Sequence, residues 1–218
     1  MTNESVEVKR MIQADVRRQE REQQLIKIAL ELFATVGYEN TKISDIVAQA
    51  NVSQGTFYWY FKSKEAIALK MLESGRESIL EAIAIGYRES KASIQESVVS
   101  SSHLFVHIFR FAEDNSYLMH ILLKGIHSQP LLQQKVDEIK ADMEAAFANN
   151  IGRAKELGML SRPIEPKMQA VFIMSLLEGV LSRWLFTERS ENHAFADKSL
   201  QEIIEETVHF EFFGIFGV

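Results

Sequence analysis

His103, His107, Arg110 and Asp114 recur at i, i+4, i+7 and i+11, a spacing that puts all four on one face of a helix. Two histidines one turn apart can share a metal ion, and a guanidinium beside them can hold an anionic head group. The acid that a metalloprotease helix carries between its histidines is missing, because Leu104, Phe105 and Val106 fill that gap. A solvated helix face accounts for the same pattern. An all-α enzyme using His103, His107, Asp114 or His120 for acid-base or metal chemistry is the remote alternative. The chain has no glycine-rich phosphate loop and no nucleophile elbow, and without cysteine it has no thiolate nucleophile, disulfide or thiolate metal site. No catalytic residue, metal or cofactor is expected, and the lack of cysteine suits a reducing cytoplasm.

The elements that would position these groups are helical. Three prolines and ten glycines in 218 residues leave few breaks, and Leu, Ile, Ala, Glu, Gln and Lys are plentiful, so the fold class expected is all-α. A first helix over 23–36 follows from the spacing of Leu25, Ile28, Ala29, Leu32, Phe33 and Val36, and Gly37 closes it. A short helix over 43–50 comes next, with Thr41 as a possible cap. Then come a three-residue break at Asn51-Val52-Ser53 and a second short helix through Phe61. Ser63 can cap a helix reaching about residue 85. Further helices are expected over 93–112, 117–126, 131–156, 167–186 and 196–213, the last two separated by the polar loop 187–193. VVSSSH, near Ser100, is the weakest stretch in these expected helices.

Two short helices joined by a tight break and preceded by a longer one make the skeleton of a helix-turn-helix. Asn51 suits the break because asparagine tolerates a positive φ. The residues that fill the frame are specific. ALELFATVGYENTKISDIVAQANVSQGTFYWYFKSKEAI, residues 29–67, strongly resembles the N-terminal signature of the tetracycline-repressor (TetR) family. The likeness covers the Gly-Tyr break, D-I-x-x-x-A, V-S-x-G-T-F-Y and Y-F-K-S-K-E. Val47 stands where the family usually has alanine, Asn51 where it often has glycine, and Gln54 where lysine is frequent.

The resemblance implies a dimeric transcriptional regulator divided into an N-terminal extension (1–22), a helix-turn-helix head (23–65) and a ligand-binding and dimerisation body (66–218). It implies DNA-facing positions at Lys42, Ser44, Ser53, Gln54, Gly55, Thr56, Tyr58, Trp59 and Lys64. Physically, Gly55 lets backbone approach the duplex, hydroxyls and Lys64 suit phosphate oxygens, and the Gln54 amide can pair with an adenine edge. Phe57 and Phe61 belong to the core. A helix cannot bury every face in so small a head, so some rings of FYWYF must be exposed.

Charge lends this no support. The formal net charge is −6, and residues 1–65 carry nine Lys+Arg against nine Asp+Glu, so the acidity lies in the body. Lys9, Arg10, Arg17, Arg18 and Arg21 could form an arm reaching backbone or minor groove, or simply a solvated extension. The N-terminal segment lacks the apolar core of a signal peptide. The apolar stretch 168–186 carries Glu178 and Arg183 and reads as a helix buried in protein.

In the body, Phe105, His107, Phe109, Arg110, Met119, Leu122, Leu123, Ile126, Phe147 and Phe172 are candidate pocket residues for a small hydrophobic or amphipathic effector, although core packing explains the apolar ones equally well. Phe172, Ser175, Gly179, Ser182, Ile204, Val208 and Phe212 are candidates for a homodimer interface built from the last two helices; an intrachain core of the same composition is the alternative. The partners expected are pseudo-palindromic duplex DNA, the effector and a second copy, with no membrane. Release of a repressor by its effector is the first functional expectation, and an activator or a ligand-insensitive DNA-binding protein with the same head is the alternative.

Overall fold

The computed structural model describes residues 3–160, 164–187 and 194–215, with side chains from residue 10 onward. Among the described residues the chain is all-α, with nine helices and no strand. They are α1 (Asn3–Thr35), α2 (Ile43–Gln49), α3 (Gln54–Tyr60), α4 (Lys64–Ala84), α5 (Ile94–Asp114), α6 (Ser116–Lys124), α7 (Pro130–Glu156), α8 (Pro166–Phe186) and α9 (Leu200–Phe213).

Most boundaries fall within a few residues of those expected, with local reasons. Gly37 ends α1 at φ 91°, and Asn51 turns the chain between α2 and α3 at φ 52°. Ser63, Ser93 and Ser199 cap α4, α5 and α9 by accepting the N–H three residues on, each worth roughly 1 kcal/mol. The serine-rich stretch of α5 is helical, carried by the Ser93–Glu96 capping box and the buried stripe of Leu104, Phe105, Ile108 and Phe109, while Ser97, Ser100 and Ser102 turn their hydroxyls back to carbonyls four residues before them.

Three expectations need correction. α1 begins at Asn3 rather than near residue 23, because residues 10–22 contain no glycine or proline and are rich in Arg, Gln and Glu. Helix propensity carries it where there is no apolar stripe to read. Thr41 does not cap α2; its hydroxyl is buried against the Gly37 and Leu32 carbonyls, and Asp45 instead accepts the Lys42 N–H. α9 starts at Leu200, where the Ser199–Glu202 capping pair sets its end. Of the loop expected at 187–193, residues 188–193 lie outside those described.

Leu25, Ala29 and Phe33 from α1, Ile46 from α2, Phe57 from α3 and Ile67 from α4 form the core of the N-terminal part. Replacing Phe57 by alanine there would cost about 3–5 kcal/mol. Beyond it, α7 pairs extensively with α8 and with α4, and α5 packs on α9. α6 lies along α1, giving the N-terminal helices a packed contact with the body besides their covalent continuation into α4.

α8 is the one helix among those described that is long and apolar enough to cross a membrane. Its Ala170, Met174, Leu177, Leu181 and Trp184 are buried within the chain, while Met168, Val171 and Phe172 are exposed, so the expected burial in protein holds for one face of the helix.

Candidate nucleic-acid interface

α3 is short, and only one of its faces is used for folding. Phe57 is fully buried, while Tyr58 and Trp59 stand 54% and 63% exposed. Gln54 and Gly55 are also exposed, so the helix presents amide, open backbone and two aromatic rings outward. Ser53 Oγ accepts the Thr56 N–H at 3.1 Å and shares a hydrogen with the Thr56 hydroxyl at 3.0 Å. These bonds fix both hydroxyls at the start of the helix, and Thr56 is half-buried there. Lys42 and Ser44 are exposed at the start of α2, and the Ser44 hydroxyl donates to Asp45 at 3.2 Å.

Lys64 differs from the rest. Its ammonium donates to the Tyr38 carbonyl at 2.7 Å and to the Thr41 carbonyl at 2.9 Å, and it lies 4.1 Å from the centre of the Tyr38 ring. Two of its three N–H bonds are thus spent locking the loop between α1 and α2 onto α4. Burial, with Glu65 and Glu39 nearby, pushes the Tyr38 phenol above its ordinary range. Lys64 is a brace at the foot of the site, with one donor left for a phosphate.

One neighbour of the site was not anticipated. Arg18 of α1 places its guanidinium 4.9 Å from the centre of the Trp59 ring. Arg18 belongs to the basic set expected as either a DNA-reaching arm or a solvated extension; nothing in its spacing points to Trp59, which comes near it only when α1 packs across the helix-turn-helix.

Residues 25–71 match the family described as bacterial regulatory proteins, tetR family. Over 188 residues the chain is 23% identical to the fatty acid metabolism regulator protein of Bacillus subtilis, covering 85% of this chain and 94% of that one. Over 178 residues it is 22% identical to the HTH-type transcriptional regulator AcrR of Shigella flexneri, covering 79% and 81% of the two chains. The helix-turn-helix part of this chain is therefore similar to that of the tetR family, and most of its length is similar, at lower identity, to two bacterial regulators. The crystal structure of the transcriptional regulator FadR from Bacillus subtilis in complex with stearoyl-CoA shares its fold, with a TM-score of 0.70, 21% identity and coverage of 88% of this chain and 98% of that one.

The body of the chain holds a narrow cavity between five helices. Ile79 and Ile83 of α4, Ile108 of α5, Met119, Leu122 and Leu123 of α6, Met143 and Phe147 of α7, and Met174, Leu177 and Leu181 of α8 line it. Lys140 and Glu178 also line it, paired with each other at 3.0 Å. Its free volume is about 20 Å³, room for a single water-sized group.

Of the pocket residues expected from sequence, Met119, Leu122, Leu123 and Phe147 line this cavity. Phe105, Phe109 and Ile126 are buried in the core elsewhere, with Phe109 against Trp184 at 5.5 Å. His107 and Arg110 lie with His103 and Asp114 on the exposed face of α5, turned away from the cavity by their own helical phase. Phe172 is 58% exposed on the outer side of α8. No group of side chains suited to a metal ion occurs among the described residues.

The expected dimer residues divide in the same way. Phe172 and Ser175 are exposed, Gly179 and Ser182 are partly so, and Met168 and Val171 extend the same outward face of α8. Ile204 and Val208 are instead buried within the chain, and Phe212 is half-buried. On α9 it is Phe210, 47% exposed, that adds apolar surface on the outside.

Proposed function

We propose that this regulator is a dimeric repressor whose two α3 helices enter successive major grooves of a pseudo-palindromic operator, and that a hydrophobic or amphipathic effector releases it by opening the body cavity. The functional division that goes with this is an extension over 1–22, a head over 23–65 and a body over 66–218. The observation carrying the reading is the outward face of α3, with Gln54, Gly55, Tyr58 and Trp59 exposed above a buried Phe57. Gln54, Thr56 and Trp59 are assigned to base edges; Lys42, Ser44, Ser53, Tyr58 and the remaining donor of Lys64 to phosphates. The outward face of α8 is assigned to the second copy, since Met168, Val171 and Phe172 flank the small residues Ser175 and Gly179, which allow helices to approach closely.

The cavity supports the release step. Its wall is apolar except for the Lys140–Glu178 pair, which offers a charged end to an amphipathic molecule. Any effector larger than a single water-sized group must separate the surrounding helices. Two of these lead to the head: α4 is its covalent continuation, and α6 packs on α1. Opening the cavity therefore shifts the spacing of the two heads, and DNA affinity falls by the effector's preference for the opened state. The relative bound to stearoyl-CoA makes a long-chain acyl thioester the first probe to use.

The test is to select duplexes from a random pool with the full-length protein, then titrate the recovered sequence with and without acyl-CoAs of graded chain length. Selection of a two-fold sequence, with affinity lowered roughly 5- to 150-fold by one member of the series, is the result expected. Affinity indifferent to the whole series and to a small-molecule extract of cells would overturn effector release, and failure to enrich any duplex would overturn DNA binding.

A further inference from the structure

We infer that the N-terminal part of α1 is a second DNA-contacting surface, in which Arg10, Arg17 and Arg21 bind the phosphate backbone beside the groove that receives α3. This rests on the operator-binding reading above and extends the site to the first part of α1, which lies before the family match at residues 25–71.

The arginines occur at i, i+7 and i+11, so at about 100° per residue they fall within about 40° of one another around the helix axis. All three are exposed. None has an ion-pair partner among the described residues, and Arg21 alone makes a side-chain bond, to Gln24 at 2.8 Å. Asp15 and Glu22 project about 120–140° away from the stripe and Glu20 about 80° away, so the face is locally cationic although the extension as a whole is mixed. From Arg10 to Arg21 the stripe is about 16 Å long, enough to follow several phosphates at about 3.4 Å of axial rise each.

Its position is set by the Arg18–Trp59 contact. The guanidinium sits 4.9 Å from a ring that is itself 63% exposed on α3, so α1 passes the edge of the recognition surface at that point. It then continues as helix back to Asn3, about 22 Å further. Side chains 10–20 are all exposed, so the chain itself covers none of this segment. A cationic stripe leaving the recognition surface along one continuous helix meets the one strongly anionic partner that surface is built for.

The experiment uses full-length protein and the triple variant Arg10→Gln/Arg17→Gln/Arg21→Gln, which keeps good helix formers at exposed positions. Operator binding is measured across a salt series on two duplexes, one trimmed to the selected core and one extended by ten base pairs on each side. On the extended duplex the variant should bind at least about 10-fold more weakly. Its slope of log K against log salt should be shallower by about 2–3, near 0.9 for each lost phosphate contact. On the trimmed duplex the difference should shrink. Equal affinity and equal slope for wild type and variant on the extended duplex would sink the inference while leaving operator binding intact. A wild type that binds neither duplex would sink operator binding itself.

Discussion

Gln129 donates a 2.7 Å hydrogen bond to the Glu39 carboxylate, tying the loop after α1 to the residue that opens α7. Glu39 belongs to the helix-turn-helix side of the molecule and Gln129 to the body, so the two parts are latched by a contact additional to their covalent link through α4. Hydrogen bonds from Gln129 and Ser128, with Lys64 nearby, hold the Glu39 carboxyl below the usual carboxylate range. A depressed carboxylate keeps its charge above its ordinary pKa and gives up its bonds only as pH falls through the lowered value, so the latch is intact at neutral pH.

Removing the latch tests whether it belongs to the signal path. Glu39→Ala and Gln129→Ala should each leave the melting temperature almost unchanged, since the bond is exposed. Each should alter by several-fold the concentration of effector needed to halve operator binding. Identical effector titrations for wild type and both variants would assign all coupling to α4 and α6.

Lys64 should behave as a structural residue with a secondary DNA role. Lys64→Ala strips two carbonyls of their donor and frees the loop that carries Tyr38 and Thr41, which should destabilise the chain by about 1–3 kcal/mol. Exposed Lys42→Ala should instead weaken operator binding and flatten its salt slope by about one unit, without moving the melting temperature. Thermal melts alongside salt titrations separate the two, and a Lys64→Ala protein as stable as wild type would return Lys64 to a simple phosphate contact.

What the sequence displayed and what it hid divide along physical lines. Helix-turn-helix geometry was legible because Ile46, Phe57 and Asn51 each meet a local requirement, of burial or of positive φ, that residue type reveals. That some rings of FYWYF must face outward followed from the smallness of the head; that these are Tyr58 and Trp59 came from the resemblance, and both are exposed. The cavity was half legible. Apolar residues of α5, α6 and α8 are interchangeable by composition, and which of them line a space depends on how five helices are rotated. Ile79, Ile83, Met143, Met174, Leu177 and Leu181 were missed for that reason, although Glu178, an acid inside the apolar α8, was a usable signal. The roles of Lys64 and Arg18 were hidden because each depends on a partner far away in sequence.

Glu211 gives a pH dependence of stability. Burial pushes its carboxyl up to about 7, against the opposing pull of the Ser101 hydroxyl and Arg88. Its Oε2 has no hydrogen-bond partner among the described residues. With a raised folded value, the native chain keeps the proton that the unfolded chain loses above its ordinary pKa near 4.5. Stability from this group is therefore complete below about 4.5, declines as pH rises to about 7 and is flat beyond. The loss is on the order of 3 kcal/mol. Glu211→Gln should melt higher than wild type at pH 8 and close to it at pH 5; parallel melting curves at both would remove the group from the pH response.

The outward face of α8 predicts the oligomeric state. Phe172→Asp places a charge at the centre of an apolar strip that this chain leaves 58% exposed at that residue. In a dimer built on that face, the unpaired buried carboxylate would cost several kcal/mol. Light scattering should report a dimer for wild type and a monomer for the variant at micromolar concentration, with operator affinity falling as the second head is lost. A variant that stays dimeric would move the interface elsewhere.

Gly75 marks where α4 and α6 cross, and it offers a test of the release mechanism that does not touch the cavity. A Cβ built on Gly75 would lie 2.6 Å and 2.8 Å from the two methyl carbons of Leu118. Leu118 is itself only 3% exposed, so those methyls have little room to move. Gly75→Ala gains up to about 1 kcal/mol of helix propensity but forces α6 away from α4 at a cost of about 1–3 kcal/mol, so a net loss of stability is expected. Because α6 also lies along α1, the displaced helix should mimic effector binding and lower operator affinity without any ligand. Adding Leu118→Ala to Gly75→Ala provides the control: the new methyl then occupies space that the leucine vacated, so the double variant should recover DNA affinity relative to Gly75→Ala alone. Additive effects of the two substitutions on DNA affinity would mean that the α4–α6 spacing does not set the position of the heads.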